Sequence, residues 1–212
     1  MSTVLTLVRR ELRLEATGRE ATSTVLPFVL AAVLLSGLAM GPSRDVLETV
    51  APGVVWLVVL FAAPALARSV AAAEREDGTW DTLRGLVPPA ALLAGKVGGL
   101  WLHYLVTWAV AAALVTVMFP APMPWAGLLA GPVGTLGLAG LTVAFGALLV
   151  GARRRTGLLA VLLLPLALPV LIAGVTLGTP GQDHVPWTAL LLGYDLLVLV
   201  TVWAVHPALL EE

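Results

Sequence analysis

Cysteine is absent from the 212-residue chain. This absence excludes disulfide bonds, a Cys-x-x-Cys redox pair, Cys-x-x-Cys-His haem attachment and thiolate metal sites. Charge is also scarce, since acidic and basic side chains make up 12% of the residues and hydrophobic ones 59%. A soluble domain usually carries about 25% charged residues. The sequence therefore predicts that lipid surrounds most of the chain.

Long uncharged segments predict where the chain crosses the membrane. A helix needs about 20 apolar residues to cross the hydrocarbon core. No acidic or basic residue occurs in 21–43, 49–67 or 97–152, and the last segment is long enough for two crossings around its proline-rich break. We predict an all-α polytopic membrane protein that forms a single domain over 1–212. Its six transmembrane helices are expected at 22–40, 49–67, 97–118, 127–150, 157–177 and 187–206.

The distribution of arginine and lysine predicts the orientation, because these residues collect on the cytoplasmic side of membranes. With six alternating spans, every basic residue except Arg44 lies on one side. We therefore expect both termini and the loop 68–96 in the cytoplasm. Residues 3–20 are too charged to cross, and we expect an amphipathic helix along the cytoplasmic interface. An ordinary helical lead-in to the first span is the alternative.

The loop 68–96 concentrates charge, since residues 74–85 contain four acids and two arginines. The dipeptide Asp77-Gly78 indicates a turn, and the apolar residues after it recur at helical spacing. We predict a short cytoplasmic coupling helix between spans two and three that docks on a soluble partner. A solvated hairpin is the alternative. The residues assigned to this docking site are Glu74, Glu76, Asp77, Gly78, Thr79, Trp80, Asp81 and Leu83.

An acidic residue inside the sixth predicted span is a second candidate site. Asp195 lies about two turns into this span, beside Tyr194, and a carboxylate at such depth is costly. We predict that this pair lines a transport path; the alternative is a partly snorkelled acid near the outer interface that is hydrogen-bonded locally or protonated.

Glycine, proline and tryptophan give predictions about the packing of the spans. Small residues let helices approach closely in lipid, so a row of glycines in the fourth span is expected to pack against another helix. Pro165 and Pro169 are expected to bend the fifth span. Tryptophans are expected to anchor the chain at the membrane edges. The glycines are Gly131, Gly134, Gly137 and Gly140, and the tryptophans are chiefly Trp56, Trp101, Trp125 and Trp187.

Several stretches, in order along the chain, resemble segments of the cytochrome c maturation protein B family (CcmB, the haem exporter permease). Trp80 and Asp81 depart from the family pattern, which tends to have Leu and Glu there, but the amphipathic pattern of the loop is intact. The matching stretches are REL at 10–12, APGVVW at 51–56, DGTWDTL at 77–83 with the later PP at 88–89, and LLLPLALPVLI at 162–172.

The resemblance implies a non-catalytic permease subunit of an ABC-type complex that handles or exports haem for c-type cytochrome biogenesis. The location implied is the bacterial cytoplasmic (inner) membrane. The partners implied are an ATPase subunit (CcmA-like) docked through 74–86, a haem-handling membrane subunit (CcmC-like), a small accessory membrane protein and a second copy of the chain. No nucleic-acid partner is expected. An ABC type-2-like exporter permease for a drug, lipid or polysaccharide is the alternative.

Cofactors are expected elsewhere in such a complex. Gly95-Lys96 is not a P-loop, because Ala90 and Val97 stand where that motif needs Gly and Ser or Thr, so ATP is expected on the partner subunit. Haem is expected as a transported or handled ligand. Haem iron can take a histidine, and His103 and His184 are candidate contacts, with ordinary interfacial histidines as the alternative. No metal site and no tryptophan-rich haem motif occurs in the sequence.

Overall fold

The computed structural model describes residues 6, 8, 20–76, 88–119, 121–151 and 156–211. Within these ranges the chain forms six long helices, and each of the six predicted spans lies inside one of them. The helices are α1 (Glu20–Met40), α2 (Arg44–Glu76), α3 (Pro89–Met118), α4 (Trp125–Gly151), α5 (Thr156–Gly178) and α6 (His184–Glu211).

Two helices extend well beyond the predicted spans, into the segment predicted as the loop 68–96. Helix α2 continues to Glu76 and α3 already begins at Pro89, so residues 68–76 and 89–96 of this segment are helical. The prediction ended each span at its first charge, but backbone hydrogen bonding does not stop where the hydrocarbon does. Proline at the first helical position also suits a helix start, since no N–H is needed there.

Four segments of the described chain are long and apolar enough to cross a membrane. They are Arg44–Pro64, Ala90–Met118, Trp125–Phe145 and His184–Val205. Shorter apolar helical segments occupy Val25–Met40 and Leu163–Gly178. The chain is thus a multi-pass helical membrane protein.

Helix α4 is the centre of the bundle, because it packs against α2, α3, α5 and α6. Helix α1 packs on α2 and α3 at one side, and α6 packs mainly on α4 and α5 at the other. The buried core consists mostly of valine, alanine and leucine. Small side chains on α4 allow four neighbours to approach one helix.

The glycine row of α4 is buried as predicted, but it does not face a single helix. A spacing of three residues falls about 60° short of a full turn, so the row winds around α4. A Cβ at Gly131 would overlap Trp108 of α3, and one at Gly134 would lie 2.7 Å from Trp56 of α2. Positions 137 and 140 face α6, through Asp195 and through Val198 with Leu199.

The tryptophan prediction is wrong for Trp56, whose side chain is 2% exposed. Because α2 begins at Arg44, this residue lies about three turns inside the helix rather than at the membrane edge. Its ring fills the space left by two glycines, Gly134 on α4 and Gly174 on α5. Helix α5 itself runs without interruption through Pro165 and Pro169.

Candidate functional site at the centre of the bundle

Asp195 is a carboxyl group enclosed between helices. Its side chain is 4% exposed, and neither carboxyl oxygen has a hydrogen-bond partner in the described part of the chain. A buried charge is costly unless it is paired and hydrogen-bonded. This residue is therefore the most unusual polar group in the described bundle.

The carboxyl of Asp195 packs against Gly137 of α4. A Cβ placed at position 137 would overlap Oδ1 of Asp195. The carboxyl therefore rests directly against the backbone of α4, at a point where only glycine leaves enough room.

The site lies near the middle of the bundle. Contacts pair Gly137 with Asp195 and Gly140 with Val198, so α4 and α6 advance together and run parallel. Gly137 is about 12 residues from the start of α4 and Asp195 about 11 from the start of α6. At 1.5 Å per residue both lie roughly 16–18 Å from the helix ends, about half of the 30 Å hydrocarbon core.

Tyr194 connects the same part of α6 to α5. Its hydroxyl donates a hydrogen bond to the carbonyl oxygen of Leu166 at 2.5 Å. Leu166 lies between the two prolines of α5, a stretch in which Pro169 has no N–H for the carbonyl of Pro165. Tyr194 thus hydrogen-bonds to α5, whereas the adjacent Asp195 only packs against α4. The structure places both residues of the predicted transport path in helix contacts.

Three further side chains in the centre of the bundle escaped the sequence analysis. The ring of Trp108 occupies the space at Gly131, and its buried Nε1 has no hydrogen-bond partner among the described residues. Tyr104 is fully buried, and its hydroxyl lies 2.8 Å from Oγ1 of Thr142. The glycine row indicated close packing, but it did not indicate which large side chains fill the gaps.

The two candidate haem-contacting histidines do not come together. Nδ1 of His103 lies 2.9 Å from the carbonyl oxygen of Gly99 in its own helix. His184 begins α6, and its ring meets Trp125 edge to face at a centroid distance of 5.5 Å. Because α3 ends where α4 and α6 begin, the histidines differ in depth by roughly 15 residues, or about 22 Å. The described chain also contains no group of three or more potential metal ligands.

The predicted docking site is described only in part. Glu74 and Glu76 belong to the last turn of α2. The other assigned residues lie outside the described residues: Asp77, Gly78, Thr79, Trp80, Asp81 and Leu83.

Comparison with known proteins gives the family of the chain. The family model described as CcmB protein matches residues 2–210. The chain belongs to the CcmB family. The resemblance found in the sequence is therefore confirmed, and it extends over nearly the whole chain.

Three curated relatives carry the same name. Heme exporter protein B of Pseudomonas aeruginosa is 32% identical over 99% of this chain and 97% of the relative. The Rhodobacter capsulatus protein of the same name is 32% identical over 84% of this chain and 83% of its own length. The Bradyrhizobium diazoefficiens protein of the same name is 34% identical over 82% of this chain and 80% of its own length. This chain, a member of the CcmB family, is similar to these proteins over 82–99% of its length.

Proposed function

We propose that this chain is the membrane permease subunit of an ABC-type exporter that handles haem for c-type cytochrome biogenesis. The observation that carries the proposal is the family match over residues 2–210. It is supported by relatives named Heme exporter protein B. The chain itself is not expected to catalyse a reaction, and haem is the expected substrate.

The same proposal includes six membrane crossings in the bacterial cytoplasmic membrane, with both termini in the cytoplasm. Its support is the order of the six helices and the concentration of arginine and lysine in alternate segments of the sequence between the predicted spans. An interfacial helix at 3–20 completes this arrangement.

Docking of a separate ATPase through residues 74–86 is the mechanical part of the proposal. Helix α2 spans 33 residues, about 50 Å at 1.5 Å per residue, whereas the hydrocarbon core is about 30 Å thick. Its last turns, after the apolar segment 49–67, therefore extend beyond the lipid. A continuous helical arm that ends at Glu76 can carry motion from a nucleotide-driven subunit to Trp56 and the centre of the bundle.

Acidic side chains at the end of this arm are expected to meet basic residues of the ATPase subunit, with an effect on orientation and encounter rate more than on affinity. A haem-handling membrane subunit, a small accessory membrane protein and a second copy of this chain are the other expected partners. His103 and His184 remain candidate haem contacts, and Tyr194 with Asp195 remains a candidate lining of the transport path.

The experiment that tests the proposal combines co-purification with a haem readout. The double change Glu76→Lys and Asp77→Lys should reduce recovery of the ATPase subunit and lower holo-cytochrome c accumulation. Charge reversal of the exposed Asp45, in the first turn at the opposite end of the same helix, is the matched control and should leave both unchanged. Normal co-purification and normal holo-cytochrome c in the double variant would refute the docking role. Absence of any c-type cytochrome defect in a strain that lacks the chain would refute the proposed function.

A further inference from the structure

The carboxyl of Asp195 is buried and has no hydrogen-bond partner in the described part of the chain. The free-energy cost of burying its negative charge must be offset by an ion pair or a bound metal ion, or the charge must be neutralised by a proton. An ionised carboxylate in a bundle at mid-membrane depth carries a large desolvation cost. Water does not offset that cost here, because the side chain is 4% exposed. Which of the three compensations applies can be decided from the groups that surround the carboxyl.

Among the described residues, no cation is placed to form an ion pair with Asp195. The two helices that pack most closely on α6, namely α4 and α5, contain no acidic, basic, histidine or tyrosine residue. Helix α3, which approaches α6 at few positions, contributes Lys96, His103 and Tyr104, and none of these makes a hydrogen bond with Asp195. On α6 itself the adjacent group is Tyr194, whose hydroxyl is engaged with α5.

The described residues also provide too few ligands for a metal ion at this carboxyl. Ions such as Ca²⁺ or Mg²⁺ need six or more oxygen ligands, from protein or water. Oδ1 instead rests against the backbone at Gly137, and no group of three acidic or histidine ligands occurs in the described helices. Of the three, only a proton needs no further ligand, because it binds to the carboxylate oxygen itself.

We propose that Asp195 is a proton-binding site in the middle of the bundle. The carboxyl keeps its proton while α6 packs against Gly137 of α4. When the two helices part and water enters, the O–H bond breaks, the proton passes to water and the carboxylate remains hydrated. When α6 packs against α4 again, the carboxylate takes up a proton from water and the step is reversed.

This site links proton uptake to the position of α6, which goes beyond the role of a permease subunit. Asp195 packs against α4 at Gly137. Tyr194, one residue earlier, hydrogen-bonds to the carbonyl oxygen of Leu166, which lies between the two prolines of α5. A state in which α6 moves away from α4 is the state that releases the proton. Helix movement driven by a nucleotide-binding partner would then be accompanied by proton release, whatever substrate is moved.

Infrared spectroscopy of the full chain in lipid bilayers tests the proposal directly. The wild-type protein should show the carbonyl band of a protonated carboxylic acid that persists at neutral pH, whereas an exposed aspartate loses its proton near its ordinary value of about 3.9. The band should be absent from Asp195→Asn and retained in Asp183→Asn. If the spectrum of wild type minus Asp195→Asn contains only carboxylate bands at neutral pH, the proposal is wrong.

Thermal unfolding across pH gives a second readout. The packed bundle keeps a proton that the unfolded chain releases, so the stability of the wild type should fall as pH rises above the ordinary range of a carboxyl group. Asp195→Asn is neutral at every pH and should flatten this dependence. An equal dependence in both proteins, or wild-type stability that rises over the same range, would overturn the proposal. The wild-type infrared titration decides the question even where the variant does not fold.

Discussion

Gly137 on α4 and Asp195 on α6 approach so closely that a Cβ on the glycine would overlap a carboxyl oxygen of the aspartate. The pair joins the central helix of the bundle to α6, which contains the least buried of the four candidate membrane spans, and Asp195 lies near the middle of that span. The structure therefore combines a packing requirement with an ionisable group at one point. Substitutions on the two sides of this contact test the packing separately from the charge.

Gly137→Ala should destabilise the bundle, because the added methyl group displaces the carboxyl or separates α4 from α6. Overpacking of a well-packed core costs about 1–3 kcal/mol, and SDS titration in mixed micelles measures the free energy of unfolding. Gly193→Ala is the matched control, since a Cβ at that position meets nothing within 4 Å. It should be neutral or stabilising, because alanine is the better helix former. Equal effects of the two substitutions would contradict the close contact.

Trp56→Ala should be among the most destabilising substitutions in the chain. The ring is 2% exposed and fills the space at Gly134 and Gly174, so its removal leaves a cavity between α2, α4 and α5. Replacement of a buried tryptophan by alanine costs about 3–5 kcal/mol. Trp203→Ala, at a side chain that is 62% exposed, should cost far less in the same titration. Comparable losses would show that Trp56 does not hold the bundle together.

Tyr194→Phe removes the hydrogen bond to Leu166 and leaves the ring in place. Interhelical hydrogen bonds in membrane proteins contribute about 0.6 kcal/mol on average, so a loss of this order is expected in the free energy of unfolding. Thr201→Val removes a hydroxyl of the same helix that bonds only to Leu197 of its own helix. This control should change stability less. A greater loss in Thr201→Val would argue against the tie between α6 and α5.

The sequence predicts the positions of the helices better than it predicts the contacts between them. Helix positions follow from local properties, since apolar segments end at charges and prolines, and all six predicted spans lie inside helices. Asp195 was also recognisable, because its cost follows from depth alone. Its partner was not, since a glycine row with a spacing of three indicates close packing without naming the helix that packs. Trp56 was misplaced for a related reason, because α2 begins several residues before the apolar segment.

The absence of cysteine makes the orientation directly testable. Single cysteines introduced as Asp183→Cys and Glu76→Cys are the only thiols in their respective variants. Asp183 is exposed in the turn before α6 and Glu76 ends α2, so the six-span arrangement puts them on opposite sides of the membrane. A membrane-impermeant maleimide should label the cysteine at 183 in intact spheroplasts and the cysteine at 76 only after lysis. Labelling of position 76 before lysis would show that the orientation is opposite to the predicted one. The end of α2 would then lie on the side of the membrane where no ATP is available, and the docking role would be wrong.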